Sequence, residues 1–351
     1  MRALILGGGG ARGAYEAGVA AALAEHMEFD IVCGTSIGAI NGFAVAQGMA
    51  GKLESIWCEA AERNVAPYRP EVAGVVRMWS ELHAMVQASL RERMHDAIEL
   101  CEGLPGLRGL SRLQNLMGFL DSTRMRAVVG EHAQRSSLRS ALLLAVTNLT
   151  NARGNVFAHF PDGFHDPLRA AGILAREDVE PITDDNYVDA ICASAALPAA
   201  FEPVTASCKN DRRHTFIDGV FTNNTPVRPA VDAGATEIIA ISVDPFVSAQ
   251  LERKIRSLAD VILLALEANT SRMLQLDLQL LDLTNANAER DGQPNGARRV
   301  RLREIRPDTA LPIEPLDFAQ PTVIAALLAQ GRRDAERTLA ADAVPVAARS
   351  A

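Results

Sequence analysis

Twice within the first fifty residues a short apolar run ends in a glycine-rich turn and passes directly into a helix-like stretch of small residues. Ala3 to Leu6 leads through Gly7-Gly8-Gly9-Gly10-Ala11-Arg12-Gly13 into Ala14 to Glu25, and Ile31-Val32-Cys33 leads through Gly34-Thr35-Ser36-Ile37-Gly38 into Ala39 to Gln47. Unbroken apolar runs, unlike alternating ones, suit strands buried on both faces, and such strands alternating with helices build a parallel sheet covered by helices. An α/β fold is therefore expected.

Strand signals resume at Ala141 to Thr147, Thr215 to Ile217 and Glu237 to Val243, so residues far from the first two strands complete the sheet, and Arg303 to Pro307 is expected to end a last strand. Between about Glu54 and Asp121 the strand signal vanishes. That segment is expected to be helical, with breaks at Pro67, Pro70 and Gly103-Leu104-Pro105-Gly106, and it carries Met78, Trp79, Met85, Leu90, Met94, Leu113, Leu116, Met117, Phe119 and Leu120 at helical spacing. Such a stripe ordinarily packs into the core; its other use is as a cap over a lipid-binding cleft, because methionine-rich surfaces adapt to varied apolar partners. Helices are further expected at about 251–283, where Ile255, Leu258, Ile262, Leu266, Met273, Leu276 and Leu280 recur by three, four or seven, and at about 321–338. Residues 1–340 then form one domain with a helical insertion, and 341–351 an alanine-rich tail that frays.

Composition excludes several function classes. The net charge of −8 and the lack of any basic run argue against a nucleic-acid partner and against a polybasic lipid anchor. No apolar run approaches the roughly 18 residues of a spanning helix, and the N-terminal run is too short for a signal-peptide core. A cytoplasmic protein, touching membrane surfaces at most transiently, is expected. Five cysteines without a Cys-x-x-Cys spacing read as free thiols, and no His, Asp or Glu group has metal-ligand spacing, so neither metal nor cofactor is expected. Oligomeric state is not legible.

Three segments carry chemistry. Gly34-Thr35-Ser36-Ile37-Gly38 is a Gly-x-Ser-x-Gly sequence between a strand and a helix, the setting of a nucleophile elbow, where small flanking residues let the chain turn sharply under an exposed serine. The earlier glycine run satisfies the dinucleotide pattern literally at Gly8, Gly10 and Gly13, but the second strand ends in Cys33-Gly34-Thr35 without the acidic residue that would hold a ribose. A phosphate loop fails because Ala14-Tyr15 follows Gly13. What remains is a loop of exposed amides beside Ser36, which describes an oxyanion hole. No histidine stands in a convincing late strand-end loop. The proton acceptor is then a carboxylate on the serine itself, and Asp218-Gly219 follows the strand Thr215-Phe216-Ile217; with an ordinary pKa near ~3.9 it would be a weak base.

Gly8-Gly9-Gly10-Ala11-Arg12-Gly13, Gly34-Thr35-Ser36-Ile37-Gly38, and Phe216-Ile217-Asp218-Gly219 with Asn223-Asn224-Thr225-Pro226 closely resemble the motifs of the patatin-like phospholipase family. Ala193-Ser194-Ala195-Ala196-Leu197-Pro198 resembles a fourth block found between the serine and aspartate motifs. The resemblance implies a three-layer, modified α/β hydrolase-like fold with a mostly parallel sheet. It assigns the nucleophile to Ser36 and the base to Asp218. The oxyanion hole falls to Gly8, Gly9, Gly10 and Gly13 with Arg12 in support, the elbow to Gly34 and Gly38, and a supporting turn to Gly219. The implied activity is hydrolysis of a phospholipid or another acyl-ester lipid without a cofactor. Acyl transfer or thioester hydrolysis on the same dyad, and a catalytically silent lipid-binding scaffold, are the alternatives. Val220 stands where the family commonly has Gly or Ala.

Overall fold

The computed structural model describes residues 1–69, 117–244, 258–290 and 299–343. Its strands are β1 (Arg2–Leu6), β2 (Ile31–Thr35), β3 (Ala141–Asn148), β4 (Arg153–His159), β5 (Val179–Pro181), β6 (Val204–Ser207), β7 (Arg213–Asp218), β8 (Glu237–Ile241) and β9 (Arg301–Ile305). They form one sheet in the order β5-β4-β3-β2-β1-β8-β9, with β7 joined to β3 and β6 to β7. The central pairings β3/β2, β2/β1, β1/β8 and β8/β9 are parallel, as is β4/β5; β3/β4, β3/β7 and β6/β7 are antiparallel.

The helices are α1 (Gly13–Ala24), α2 (Ile37–Ala46), α3 (Leu53–Glu62), α4 (Thr123–His132), α5 (Pro167–Ala175), α6 (Tyr187–Ser194), α7 (Val227–Asp232), α8 (Leu258–Arg290) and α9 (Pro321–Ala343). Alternate residues of each central strand feed opposite cores. Leu4, Leu6, Val32, Leu142, Leu144 and Ile239 pack with Ala17 of α1, Phe43 of α2 and Leu327 of α9. Ala3, Ile5, Ile31, Cys33, Leu143 and Ile238 pack with Ile173 of α5, Val227 and Ala230 of α7, and Leu281 of α8. The result is three layers, with a helical layer on each side of a mostly parallel sheet. Helix α1 is buried along its whole length up to Leu23, which explains why its sequence is small and apolar all round, and the Tyr15 hydroxyl donates to Asp334 Oδ2 of α9 at 2.9 Å.

Several expectations change. Strands β4 and β6 carry polar or exposed residues (Arg153, Gly154, Asn155, Thr205) and β5 has only three residues, so none of them stands out in the sequence. Helix α9 runs to Ala343, so residues 341–343 continue the helix where a tail was expected; alanine needs little burial to remain helical. The helix expected at 251–283 is described over Leu258–Arg290, which carries it beyond the expected end at 283. Of the insertion, residues 70–116 with Met78, Trp79, Met85, Leu90, Met94, Leu113 and Leu116 lie outside the described residues, as do 251–257 with Ile255, and 344–351. The described ends of the insertion are α3 and a non-helical stretch in which Leu120 bridges Tyr68 and Gly118 bridges Ala199. Cys33, Cys58, Cys192 and Cys208 are free thiols, and Cys101 lies outside the described residues. Among the described residues no helix is long and apolar enough to cross a membrane.

Candidate active site

The chain leaves β2 at Thr35, turns at Ser36 with φ 57° and ψ −128°, and enters α2 at Ile37. That conformation costs a residue with a side chain of order 1–3 kcal/mol, so its surroundings must hold it. The Ser36 amide donates to Ser194 Oγ at 3.0 Å, and Ser194 donates onward to the Ala145 carbonyl at 2.7 Å. Thr35 Oγ1 donates to the Asn223 carbonyl at 2.8 Å. Gly38 allows the first turn of α2 to lie against β1, where a Cβ would stand 2.3 Å from the Leu6 carbonyl oxygen.

Strand β7 delivers Asp218 to the same point. Ser36 Oγ donates to Asp218 Oδ2 at 2.6 Å, the Val220 amide donates to Oδ1 at 2.9 Å, and the Asp218 amide donates to the Ala196 carbonyl at 3.0 Å. Asp218 is fully buried. Burial pushes its carboxyl from the ordinary 3.8 up to about 7, against the opposing pull of the Ser36 hydroxyl and the Val220 amide. An ordinary aspartate is a weak proton acceptor at neutral pH; a carboxyl with this raised proton affinity can exchange a proton there.

The glycine loop lies across from the serine. The Gly8 amide donates to Asn224 Oδ1 at 3.0 Å, whereas the amides of Gly9 and Gly10 meet no acceptor among the described residues. Gly8 thus anchors the loop, and the amides open to the cleft are those of its two successors. Gly10 has φ +58°, and a Cβ there would stand 1.9 Å from the Pro315 carbonyl oxygen, which already accepts the Ala11 amide at 2.7 Å. Arg12 reaches back toward the Gly9 carbonyl, with Nε 3.4 Å away, while its guanidinium pairs with Asp244. Beneath the loop, buried Glu16 accepts from Asn41 Nδ2 at 2.8 Å; burial raises its carboxyl well above the usual range, partly offset by Asn41 and the Gly7 amide. Asn41 Nδ2 also donates to the Gly13 carbonyl at 3.0 Å.

These groups open into a cleft whose polar end holds Gly8, Gly9, Gly10, Arg12, Ser36 and Asp218. Leu197, Phe201, Leu266, Leu316 and Phe318 form its apolar walls. Gly13, Gly34, Gly38 and Gly219 frame the site from the backbone. Gly34 pairs with Leu6 and Leu144 inside the sheet, and the Gly219 carbonyl accepts the Asn223 amide at 2.7 Å. Sequence reasoning quoted Ser194 and Asn224 within motifs but gave them no role, and it missed Asp244 and Thr270. Nothing local marks those two, which reach the cleft from the end of β8 and from α8. His214 Nδ1 lies 2.9 Å from Asn148 Nδ2 and takes no part in the cleft.

Two other clusters have metal-binding residue types, Glu180 with Cys208 and His214, and Glu59 with Glu131 and His132. The first accepts the Lys209 amide at Glu180, and the second is bridged by Arg63, so both have protein partners.

The model of the patatin-like phospholipase family matches residues 4–231, which span β1, both glycine turns, Asp218 and most of α7. The chain belongs to the patatin-like phospholipase family. Its family is one of lipid acyl hydrolases that act on ester bonds, and the matched segment contains every candidate site residue named above from the sequence. No curated protein sequence matches the chain. Among solved structures, VipD from Legionella pneumophila is similar over 97% of this chain and 67% of its own, at 15% identity and a TM-score of 0.36.

Proposed function

We propose that this patatin-like phospholipase hydrolyses lipid carboxylic esters through an acyl-serine intermediate, with Ser36 as nucleophile and Asp218 as its only base. The observation that carries this is the 2.6 Å contact between Ser36 Oγ and a buried carboxylate at the polar end of an apolar-walled cleft. Ser36 Oγ attacks the ester carbonyl while Asp218 takes its proton, and the developing oxyanion is held by the Gly9 and Gly10 amides. Asp218 then returns that proton to the departing alkoxide as the acyl–oxygen bond breaks. Water repeats the sequence: Asp218 takes its proton as the water oxygen adds to the acyl carbon, then returns that proton to Ser36 Oγ as the acyl–oxygen bond breaks, which frees the carboxylic acid and restores the serine hydroxyl and the carboxylate. One carboxyl serves both half-reactions, and a proton affinity near neutrality suits it to give and take at pH 7.

We read residues 1–340 as one catalytic domain, because α9 packs on α1 and Pro315 on the glycine loop. The family's lipid ester substrates support a phospholipid or a related acyl ester as the substrate.

The test is hydrolysis of a short-chain p-nitrophenyl ester across pH. The value of kcat/KM is expected to rise tenfold per pH step below a midpoint near 7, as Asp218 loses its proton, and to level above it. A midpoint near 4 would contradict a buried base. The loop supplies a further expectation. Gly10→Ala must displace Pro315 and strain the backbone, so kcat is expected to fall roughly 100- to 1000-fold, the cost of one lost oxyanion donor. In Gly9→Ala the new Cβ stands 2.5 Å from a methyl of Val243, a side chain able to turn aside, so the loss is smaller. Steady-state kinetics of the two variants check this order.

A further inference from the structure

A second recess lies behind α2 and is walled by α2, α3 and α4. From α2 and its C-cap it takes Ile37, Ile40, Asn41, Ala44 and Gln47, which follow one face of the helix from the residue after the nucleophile to the far end. At 1.5 Å per residue that stripe is about 15 Å long. Facing it are Leu53, Trp57, Val128, Val129 and Ile191, all buried. The polar side chains in its wall are turned to the protein: Asn41 accepts Trp57 Nε1 at 2.9 Å, Gln47 bonds the His132 carbonyl and the Gln134 amide, and His132 meets Glu59 at 3.2 Å. The recess therefore suits an apolar group, which needs no hydrogen bonds, and penalises a polar one, which would lose its water. Ile37, Met125 and Phe318 line both this recess and the cleft that holds Ser36, so the two spaces adjoin at the nucleophile.

We propose that the recess receives the acyl chain of the substrate, entering past Ile37, Met125 and Phe318, and that its far end at Gln47 sets the chain length accepted. This rests on the serine-hydrolase reading and adds to it which part of the lipid is selected. Carbon–carbon bonds of about 1.5 Å in a zigzag advance ~1.3 Å each, so a 15 Å stripe accommodates about a dozen carbons. The polar end of the cleft, with Arg12, Asp244 and Thr270, is left for the alcohol side of the ester.

The experiment measures kcat/KM for p-nitrophenyl esters from acetate to palmitate, each below its aggregation concentration. Burying one methylene is worth about fourfold, so kcat/KM is expected to climb by up to that factor per carbon and to level near twelve carbons. Ala44→Phe fills the recess one turn before Gln47 and is expected to move the level point at least three carbons shorter. Ala133→Leu, placed beside Gln47, gives the same shift if Ala44→Phe does not fold. Calorimetric titration of the Ser36→Ala protein with fatty acids of eight to sixteen carbons is expected to break at the same length, and this readout needs no turnover. A flat chain-length profile, or a level point that stays in place in a folded variant, overturns the acyl recess while leaving the dyad intact. Hydrolysis indifferent to Ser36→Ala, with the fatty-acid break present, overturns the dyad and leaves the recess as an acyl site.

Discussion

Ser36→Ala and Asp218→Asn are each expected to lower kcat on a short-chain ester by about four orders of magnitude or more, with KM changed little. The two groups act on one proton in one step, so their losses do not add: the double variant is expected to be scarcely slower than either single one. Both substitutions keep the shape of the site. In Asp218→Asn the side-chain carbonyl oxygen still accepts the Val220 amide, and Ser36→Ala leaves the backbone bond to Ser194 in place. Circular dichroism of the three variants is therefore expected to match the parent, and full additivity of the rate losses would show two groups working in separate steps.

Asp218→Asn is also expected to stabilise the protein above neutral pH. An unfolded chain ionises this carboxyl near 3.8, while burial in the folded site holds the proton until about 7. Between those values the unfolded state has already lost a proton that the folded state keeps, so stability falls as pH rises through the window. Each tenfold change in proton affinity corresponds to about 1.4 kcal/mol, so the buried anion costs up to about 4 kcal/mol above pH 7 and nothing below pH 4. Asparagine carries no charge and escapes the cost. Chemical denaturation at pH 8 is expected to favour the variant by a few kcal/mol, the gap closing on acidification toward pH 4. Equal stabilities at pH 8 would mean that the folded site does not oppose the charge. A more stable but inactive variant is what a base held against its solvation preference implies.

The parts of the site legible in the sequence are those whose chemistry is local. Ser36 is recognisable because an elbow needs Gly34, Gly38 and a strand-to-helix junction within five residues, and the glycine loop because Ala14-Tyr15 and the missing ribose acid exclude nucleotide chemistry. Asp218 is legible only as an aspartate-glycine turn after a strand. Its basicity is not, because burial is a property of β3, β7 and α6 assembled together. The same holds for Ser194, 158 positions from the serine whose amide it accepts, and for Asn224, 216 positions from Gly8. The central strands declare themselves as continuous apolar runs, whereas β4 and β6, half exposed and rich in polar residues, do not. That α2 faces a recess is not legible in its residues, because it depends on where α3 and α4 lie.

The most direct measurement is covalent trapping. The protein is treated with a fluorophosphonate, digested, and the modified residue assigned by mass spectrometry. A single adduct on Ser36 is expected, forming faster as pH rises through about 7 and falling to background in Asp218→Asn. An adduct on any other residue, or labelling that persists in Ser36→Ala, would contradict the Ser36–Asp218 mechanism.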